Sequence, residues 1–168
     1  SMATLDIIRR KILAPEQVAN WVSLQRFLSK RIVFTNGCFD ILHLGHVDYL
    51  ARAADEGDVL VIGLNTDEST RRLKGPHRPI NDEVQRAMLL ASMHFVDAVI
   101  FFGEDTPLEL IRKVMPDVLV KGADYSLENI VGADLVLASG GQVKTIEFLP
   151  GYSTSAIEKR ILDGKSRP

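Results

Sequence analysis

The feature that most constrains the fold is the alternation of short, unbroken apolar runs with segments of helical pattern. The run Val59-Leu60-Val61-Ile62-Gly63-Leu64, for example, has no polar residue at alternate positions. Strands of this kind are buried on both faces, which is typical of a parallel sheet covered by helices on both sides. Five strands are predicted, at residues 32–34, 59–64, 98–101, 117–120 and 143–146. The sequence therefore predicts an α/β fold.

The first 30 residues have a helical pattern of their own. After Pro15, which fits a first helical turn, four apolar side chains fall on one face: Val18, Trp21, Val22 and Leu28. We predict that residues 1–30 form an N-terminal helical extension packed on a main domain of residues 31–168. The complete fold class is a Rossmann-like, doubly wound, parallel five-stranded sheet with this extension.

Helices are predicted between the strands, but the connection after the second strand begins with a long loop. The segment after the second strand, up to Asn81, is polar and contains Gly75 and Pro76, so we interpret it as a long loop. The predicted helices span residues 44–56 and 82–93, a segment opened by Thr106-Pro107, residues 133–138, and a last helix capped by Ser153.

Composition bounds the class of protein. The chain has 168 residues, which fits one domain, and its formal net charge of -2 gives no overall attraction to nucleic acid or to anionic membranes. Its single cysteine, Cys38, fits a reducing compartment, and a cytoplasmic location is expected. No apolar run is long enough to span a bilayer, and Ser1-Met2-Ala3 does not open a signal peptide. Ser1 is interpreted as a remnant of an expression tag.

The turn after the first strand carries the strongest signal of chemistry. Ligands of doubly wound sheets bind beyond the carboxyl ends of the strands. There, Gly37 permits a tight turn, and His43 and His46 lie three residues apart at the start of a helix, on one face. Gly45 between them would let a ligand approach the backbone. A helix N-terminus favours anions, and two imidazoles can stabilise charge growing on a phosphate.

Other interpretations of this turn are weaker. Both histidines could be structural, but two histidines that flank a glycine at this turn favour function. A metal shared by the pair would need further ligands, and beside Cys38 and Asp40 the sequence has no Cys/His cluster to supply them. Cys38 could be a nucleophile, but without a paired base it fits better as a small apolar filler.

Three further segments at predicted strand or helix ends are candidates for phosphate or sugar contacts. Residues 71–78 contain three arginines, one lysine and His77 without an acid, and we predict a mobile basic loop that closes over a triphosphate. A solvated basic face is the alternative. Lys121-Gly122-Ala123-Asp124 follows the fourth strand, where Asp124 can accept hydrogen bonds from hydroxyls. Ser153-Thr154-Ser155 can form an anion site, and N-capping alone is the other interpretation.

These motifs carry a family resemblance. His43-Leu44-Gly45-His46 resembles the His-x-Gly-His motif of the nucleotidyltransferase superfamily, which includes cytidylyltransferases and adenylyltransferases. Further segments resemble the adenylyltransferase domain of ADP-heptose synthase: residues 72–75, 78–81, 85–86, 104–107, 116–117, 120–125 and 153–154. The chain departs from that family at Ser155, where the pattern has Thr, and at Ala123, where it has Gly. Neither departure removes a charge.

The resemblance implies an enzyme that transfers AMP from ATP to heptose 1-phosphate and releases pyrophosphate. The product would be ADP-heptose for lipopolysaccharide core synthesis. Mg²⁺ or another divalent cation would bind with the nucleotide phosphates, and no protein side chain is assigned as its ligand. The expected partners are ATP, a phosphorylated sugar, a separate sugar kinase and a second copy in a homodimer. Two alternatives remain: a cytidylyltransferase acting on a polyol or amino-alcohol phosphate, and a nucleotide-binding regulatory module without turnover.

The predicted site combines these positions. The predicted catalytic residues are His43, His46, Lys74 and Arg86. The predicted nucleotide-binding residues are Thr35, Asn36, Gly37, Cys38, Phe39, Gly45, Lys121, Gly122, Asp124, Ser153, Thr154 and Ser155. Asp40 and Asp124 are the predicted substrate-binding residues.

Overall fold

The computed structural model describes residues 1–164 and contains a five-stranded, wholly parallel sheet with the strand order β3-β2-β1-β4-β5. This confirms the predicted fold class. The last residues of the predicted main domain, 165–168, lie outside the described residues. The strands are β1 (Ile32–Gly37), β2 (Val59–Asn65), β3 (Ala98–Phe102), β4 (Val118–Gly122) and β5 (Gln142–Ile146).

Eight helices connect and flank these strands within residues 1–164. They are α1 (Thr4–Arg10), α2 (Val18–Phe27), α3 (Leu44–Ala54), α4 (Asp67–Lys74), α5 (Glu83–Ala91), α6 (Leu108–Val114), α7 (Ala133–Ala138) and α8 (Thr154–Asp163). Two short 3₁₀ turns lie at Pro15–Gln17 and Leu127–Asn129. Among the described residues, no helix has the length and apolar character needed to cross a membrane.

Each face of the sheet is covered by its own apolar layer. Phe34 and Val61 belong to one layer, with side chains of α2, α6 and α7. Leu60 and Ile62 belong to the other, with side chains of α3 and α5. Because alternate residues of one strand enter different layers, both faces of the strand must be apolar, which explains the unbroken runs in the sequence.

The N-terminal extension packs on the outer strand β3. The N–H of Leu13 donates to the carbonyl oxygen of Val99 at 2.9 Å, and the N–H of Val99 donates to the carbonyl oxygen of Lys11 at 2.8 Å. Leu13 and Val18 lie in the apolar core. The prediction for Leu28 was wrong: α2 ends at Phe27, and Leu28 is about half exposed, because the chain leaves the helix there.

The segment interpreted as a long polar loop contains a helix, α4, and only residues 75–81 between α4 and the Asp82 cap of α5 are irregular. The Thr66 hydroxyl caps α4 by accepting a hydrogen bond from the Ser69 N–H at 3.2 Å. Acidic residues occupy its first turn and basic residues its last, which complements the helix dipole. The predicted mobile loop at 71–78 therefore begins as the last turn of a helix.

The sheet has a switch point between β1 and β4. From β1 the chain proceeds outward through β2 and β3, and it then returns to place β4 on the opposite side of β1. The connections that leave the carboxyl ends of β1 and β4 therefore diverge and leave a crevice between them. The site described next lies at this edge.

Candidate active site

Two cavities lie at the carboxyl edge of the sheet. The first, of about 530 Å³, is lined by His43 and His46 and is called the histidine cavity. The second, of about 240 Å³, is lined by Asn65, Phe102 and Thr106 among others and is called the side cavity. Most of the predicted site residues line the histidine cavity: Asn36, Gly37, Cys38, Phe39, Asp40, His43, Gly45, His46, Lys74, Lys121, Gly122, Ser153, Thr154 and Ser155.

The turn from β1 to α3 has an unusual backbone that Asp40 holds in place. Phe39 and Ile41 both have φ angles of 48°, which side chains other than glycine rarely adopt. The buried Asp40 carboxylate accepts hydrogen bonds from the backbone N–H groups of Ile80 at 2.6 Å and Asn81 at 2.9 Å. Both oxygens of this predicted substrate-binding residue are therefore engaged by the protein, and they tie the turn to the start of the next segment.

The two histidines are oriented by backbone hydrogen bonds. Nδ1 of His43, the N-cap of α3, accepts from the Gly45 N–H at 3.0 Å. Nδ1 of His46 accepts from the His43 N–H at 3.3 Å, and the two ring centroids are 3.9 Å apart. A neutral imidazole that accepts at Nδ1 carries its proton at Nε2. Each ring therefore has an Nε2–H donor left for a ligand.

Electrostatics keep both rings neutral. Burial lowers the pKa of His46 to about 4, with a further lowering from neighbouring His43 that Asp40 opposes. Burial also lowers the pKa of His43. At neutral pH the pair therefore donates hydrogen bonds without carrying charge.

Gly45 is required by the packing of the histidine beside it. A Cβ atom at this position would lie 2.8 Å from Cε1 of His43 and 3.2 Å from Cβ of Tyr152. We predicted that this glycine leaves room for a ligand at the backbone. In the structure, the space beside it is taken by the His43 ring, so the glycine preserves the position of a donor.

The start of α8 forms another wall of the histidine cavity. The Ser153 hydroxyl accepts from the Ala156 N–H at 3.0 Å, so the predicted N-cap is confirmed. The Thr154 hydroxyl donates to the Asp40 carbonyl oxygen at 2.6 Å. Arg78 also lines the cavity and pairs with Glu158 of α8. These contacts bring a helix N-terminus and a guanidinium to the same cavity as the histidines.

Two lysines occupy the wall between the cavities. Lys74, at the end of α4, and Lys121, on β4, each line both cavities. Lys121 Nζ donates to the Asn36 carbonyl oxygen at 3.4 Å and lies 5.0 Å from the centre of the Tyr125 ring. Burial lowers the pKa of Lys121.

Three predicted site residues are not brought to either cavity. Thr35 is fully buried, and its hydroxyl is hydrogen-bonded to the Tyr49 hydroxyl at 2.8 Å. Asp124 is exposed and lies beside Gly122, where an added Cβ atom would be 2.8 Å from its Oδ1. Arg86 is completely buried.

The buried Arg86 joins the turn after β1, the junction of β2 with α4, and the turn before α5. Its Nη1 donates to the carbonyl oxygens of Cys38 at 2.7 Å and Asn65 at 2.8 Å, and its Nε donates to that of Asn81 at 3.0 Å. Its Nη2 pairs with Asp67 Oδ1 at 2.8 Å. The guanidinium thus fixes the ends of β1 and β2 and the start of α4, instead of facing a phosphate.

Five residues that were not among the predicted site residues also line the histidine cavity: Tyr49, Arg78, Tyr125, Phe148 and Tyr152. Tyr49 could have been found, since it lies three residues after His46 on the same helix face. Arg78 and Tyr125 lie in the segments that carry the family resemblance. Phe148 and Tyr152 follow β5 and belong to no periodic pattern. The one sequence signal for them was their position after a predicted strand, at the carboxyl edge of the sheet.

Potential metal ligands are sparse. Within residues 1–164, no group of three or more His, Cys, Asp or Glu side chains is arranged to hold a metal ion. A cation at this site would therefore need most of its ligands from a bound substrate.

Comparisons with known proteins agree on one family. Residues 34–160 match the cytidylyltransferase-like family. The bifunctional protein HldE of Campylobacter curvus is 56% identical over 153 residues, which are 91% of this chain and 31% of that protein. The bifunctional protein HldE of Citrifermentans bemidjiense is 51% identical over 152 residues, 90% of this chain and 31% of that protein. The chain thus spans about a third of the length of these curated relatives.

A solved structure extends the comparison to the fold. The crystal structure of the lipopolysaccharide core biosynthesis protein from Thermoplasma volcanium GSS1 is 33% identical in sequence, with a TM-score of 0.57. The similarity covers 71% of this chain and 97% of that one. Fold and sequence are therefore shared over nearly the whole of that smaller protein.

Proposed function

This chain belongs to the cytidylyltransferase-like family of nucleotidyltransferases, and from that premise we propose that it transfers AMP from ATP to a sugar 1-phosphate, with heptose 1-phosphate as the acceptor. The products are an ADP-sugar and pyrophosphate. The observation that carries the proposal is that two cavities adjoin each other. One of them contains the two histidine donors, and the wall between them carries two lysines. Two adjoining compartments can hold two substrates with their reacting atoms close together.

The donor occupies the histidine cavity. Its volume of about 530 Å³ fits the range of about 300–1,000 Å³ for small-molecule sites. The N-termini of α3 and α8 favour a polyphosphate through the positive ends of their helix dipoles. The Nε2–H groups of His43 and His46 stabilise the negative charge that grows on the phosphate oxygens as the reaction proceeds.

The acceptor reaches the donor from the side cavity. An ionised oxygen of the acceptor phosphate attacks the α-phosphorus, and the bond from that phosphorus to the bridging oxygen breaks. Pyrophosphate leaves with the electron pair of this bond. The attacking phosphate is already an anion at neutral pH, so the protein supplies position and charge stabilisation without a strong base.

A divalent cation such as Mg²⁺ would be held in this site mainly by the donor's phosphates. Both carboxylate oxygens of Asp40, the acidic residue that lines the histidine cavity, are taken by backbone N–H groups. Mg²⁺ is commonly bound by one or two carboxylates together with substrate phosphates and waters. When bound, it would neutralise phosphate charge, while the protein's own residues hold the substrates in place.

The choice of ATP and heptose 1-phosphate rests on sequence similarity and on the lining of the side cavity. The chain is similar to the bifunctional proteins HldE and to a lipopolysaccharide core biosynthesis protein. Asp105, Thr106 and Asn129 line the side cavity and can bind sugar hydroxyls. The proposal also includes a separate sugar kinase that supplies the acceptor, a homodimeric state and a cytoplasmic location.

A pyrophosphate-release screen tests the proposal. The purified chain is incubated with ATP, CTP, GTP or UTP, each paired with heptose 1-phosphate, glycerol 3-phosphate or phosphocholine at equal concentration. We expect the highest rate with ATP and heptose 1-phosphate, because sites that bind a hydroxyl discriminate against analogues that lack it.

Two other outcomes of the screen each select an alternative. Preference for CTP with glycerol 3-phosphate or phosphocholine would contradict the sugar acceptor and favour the cytidylyltransferase reading. Nucleotide binding without pyrophosphate release for any pair would favour the regulatory module.

A further inference from the structure

Lys121 has an uncommon position for a charged residue. It lies within the strand β4, and its side chain reaches the wall between the two cavities. Six residues line both the histidine cavity and the side cavity: Asn36, Gly37, Cys38, Lys74, Lys121 and Tyr125. Lys74 and Lys121 are the two cations of this set, so both contribute positive charge where the cavities meet.

Within residues 1–164, the ammonium group of Lys121 forms no direct ion pair, although Asp124 is close enough to raise its pKa. Its contacts are a long hydrogen bond of 3.4 Å to the Asn36 carbonyl oxygen and the face of the Tyr125 ring. Two other lysines of the described residues form ion pairs: Lys144 with Glu56 at 2.6 Å and Lys159 with Asp163 at 3.9 Å. Withdrawing an ammonium from water without a paired anion is unfavourable. The structure therefore maintains a positive charge there that a bound anion would compensate.

Lys74 and Lys121 act on the same space. Lys74 is close enough to lower the pKa of Lys121, an effect smaller than those of burial and of the opposing Asp124 and Cys38. Two ammonium groups that repel each other across a shared wall are each stabilised when an anion enters between them. Phosphate oxygens suit this arrangement, because lysine binds phosphate as a point charge.

The geometry of the transfer identifies which phosphate enters. In phosphoryl-type transfers, the attacking and leaving oxygens lie roughly in line on opposite sides of the phosphorus. In the proposed arrangement, the pyrophosphate portion of the donor lies on the side of the histidines and helix N-termini, and the attacking phosphate approaches from the side cavity. The attacking phosphate then lies beside the wall that carries Lys121.

We propose that Lys121 is a catalytic residue that binds the phosphate of the acceptor at the junction of the two cavities, which Lys74 also lines. This inference rests on the proposed transfer from ATP to a sugar phosphate. Lys121 keeps its proton throughout: the new bond joins the acceptor oxygen to the α-phosphorus, the bond to the pyrophosphate oxygen breaks, and the ammonium group only offsets the charge. Lys121, which the sequence predicted to contact the nucleotide, is thereby assigned to the sugar phosphate acceptor.

Three variants test the assignment. Lys121→Met removes the charge and keeps the stem of the side chain, Lys121→Arg keeps the charge, and Lys113→Met removes an exposed lysine of α6 that lines neither cavity. Steady-state kinetics with ATP and heptose 1-phosphate give the KM of each substrate, and calorimetry with a non-hydrolysable α,β-methylene analogue of ATP gives the nucleotide Kd. Thermal melts check that each variant is folded.

We expect Lys121→Met to lower kcat/KM for heptose 1-phosphate by on the order of 100-fold. The Kd of the nucleotide analogue should change by less than about threefold, because the donor keeps its histidine and helix contacts. Lys121→Arg should recover part of the loss, and Lys113→Met should behave like the wild type.

Other results overturn the assignment. An equal weakening of nucleotide and acceptor would make Lys121 a nucleotide contact, and unchanged kinetics would remove it from the reaction. If Lys121→Met does not fold, Lys121→Arg decides: an altered acceptor KM with an unaltered nucleotide Kd supports the assignment, and kinetics altered equally for both substrates refute it. A wild-type chain that releases no pyrophosphate with any acceptor contradicts the proposed function itself, whereas an active wild type with an unaffected Lys121→Met contradicts only this inference.

Discussion

The histidine pair derives its role from atoms that point away from the ligand. Each Nδ1 accepts a backbone N–H, and this contact fixes both the tautomer and the direction of the ring. The pair could be predicted because its spacing and its position after β1 can be identified from the amino-acid sequence. The tautomer was not predictable, since it depends on which backbone N–H groups lie within reach of each ring. The same holds for Asp40, whose backbone partners are about 40 residues away in sequence.

We predict that His46→Ala lowers turnover by on the order of 100-fold or more, as loss of a transition-state donor does. Binding of ATP should weaken much less, because the helix N-termini remain. Pyrophosphate release and calorimetric ATP binding measure the two effects. His94→Ala, at an exposed histidine that lines neither cavity, is the matched control. Near-normal turnover in His46→Ala would remove the pair from the mechanism.

At the level of elements, α4 and the ends of β1 and β2 form one unit held by Arg86. The strands were predictable because burial on both faces leaves an unbroken apolar run. Helix α4 was missed because it is short and polar and has no apolar stripe, although the Thr66 cap and the acidic first turn signalled it. The burial of Arg86 was not predictable, because its partners come from segments far apart in the sequence.

We predict that Arg86→Met lowers the free energy of unfolding by about 3–5 kcal/mol, the usual effect of removing one partner of a buried ion pair. The loss of three carbonyl contacts acts in the same direction. Urea denaturation measures the change. Arg72→Met is the control, because Arg72 lies on the surface of α4 and its ion pairs with Glu68 and Asp105 are exposed. This variant should change the free energy of unfolding by less than about 1 kcal/mol. Full stability of Arg86→Met together with lost turnover would restore the predicted phosphate contact.

For the whole molecule, the titration of His46 links the site to stability. Its pKa is about 4 in the folded protein and near 6.5 when exposed, so the unfolded chain binds the proton more tightly. Neutral His46 therefore contributes fully to the free energy of unfolding above about pH 6.5. This contribution is lost as the pH falls from there towards 4.

We therefore predict that the free energy of unfolding falls from pH 7 to pH 4.5 by more in the wild type than in His46→Gln, which has no titrating group at this position. Urea denaturation of both proteins at several pH values measures the difference. Parallel pH profiles would show that His46 does not titrate in the way its burial implies.

The bridge between the N-terminal extension and Val99 also limits how copies of this protein can associate. It places the chain's own backbone along the outer side of β3, so that edge is partly closed to further strands. At the other edge, β5 presents Lys144 in an ion pair with Glu56, and charged edge residues discourage strand addition. Continuous strand-by-strand extension of the sheet between molecules is therefore disfavoured at both ends. Contacts between copies through helices and loops are therefore favoured over pairing of sheet edges.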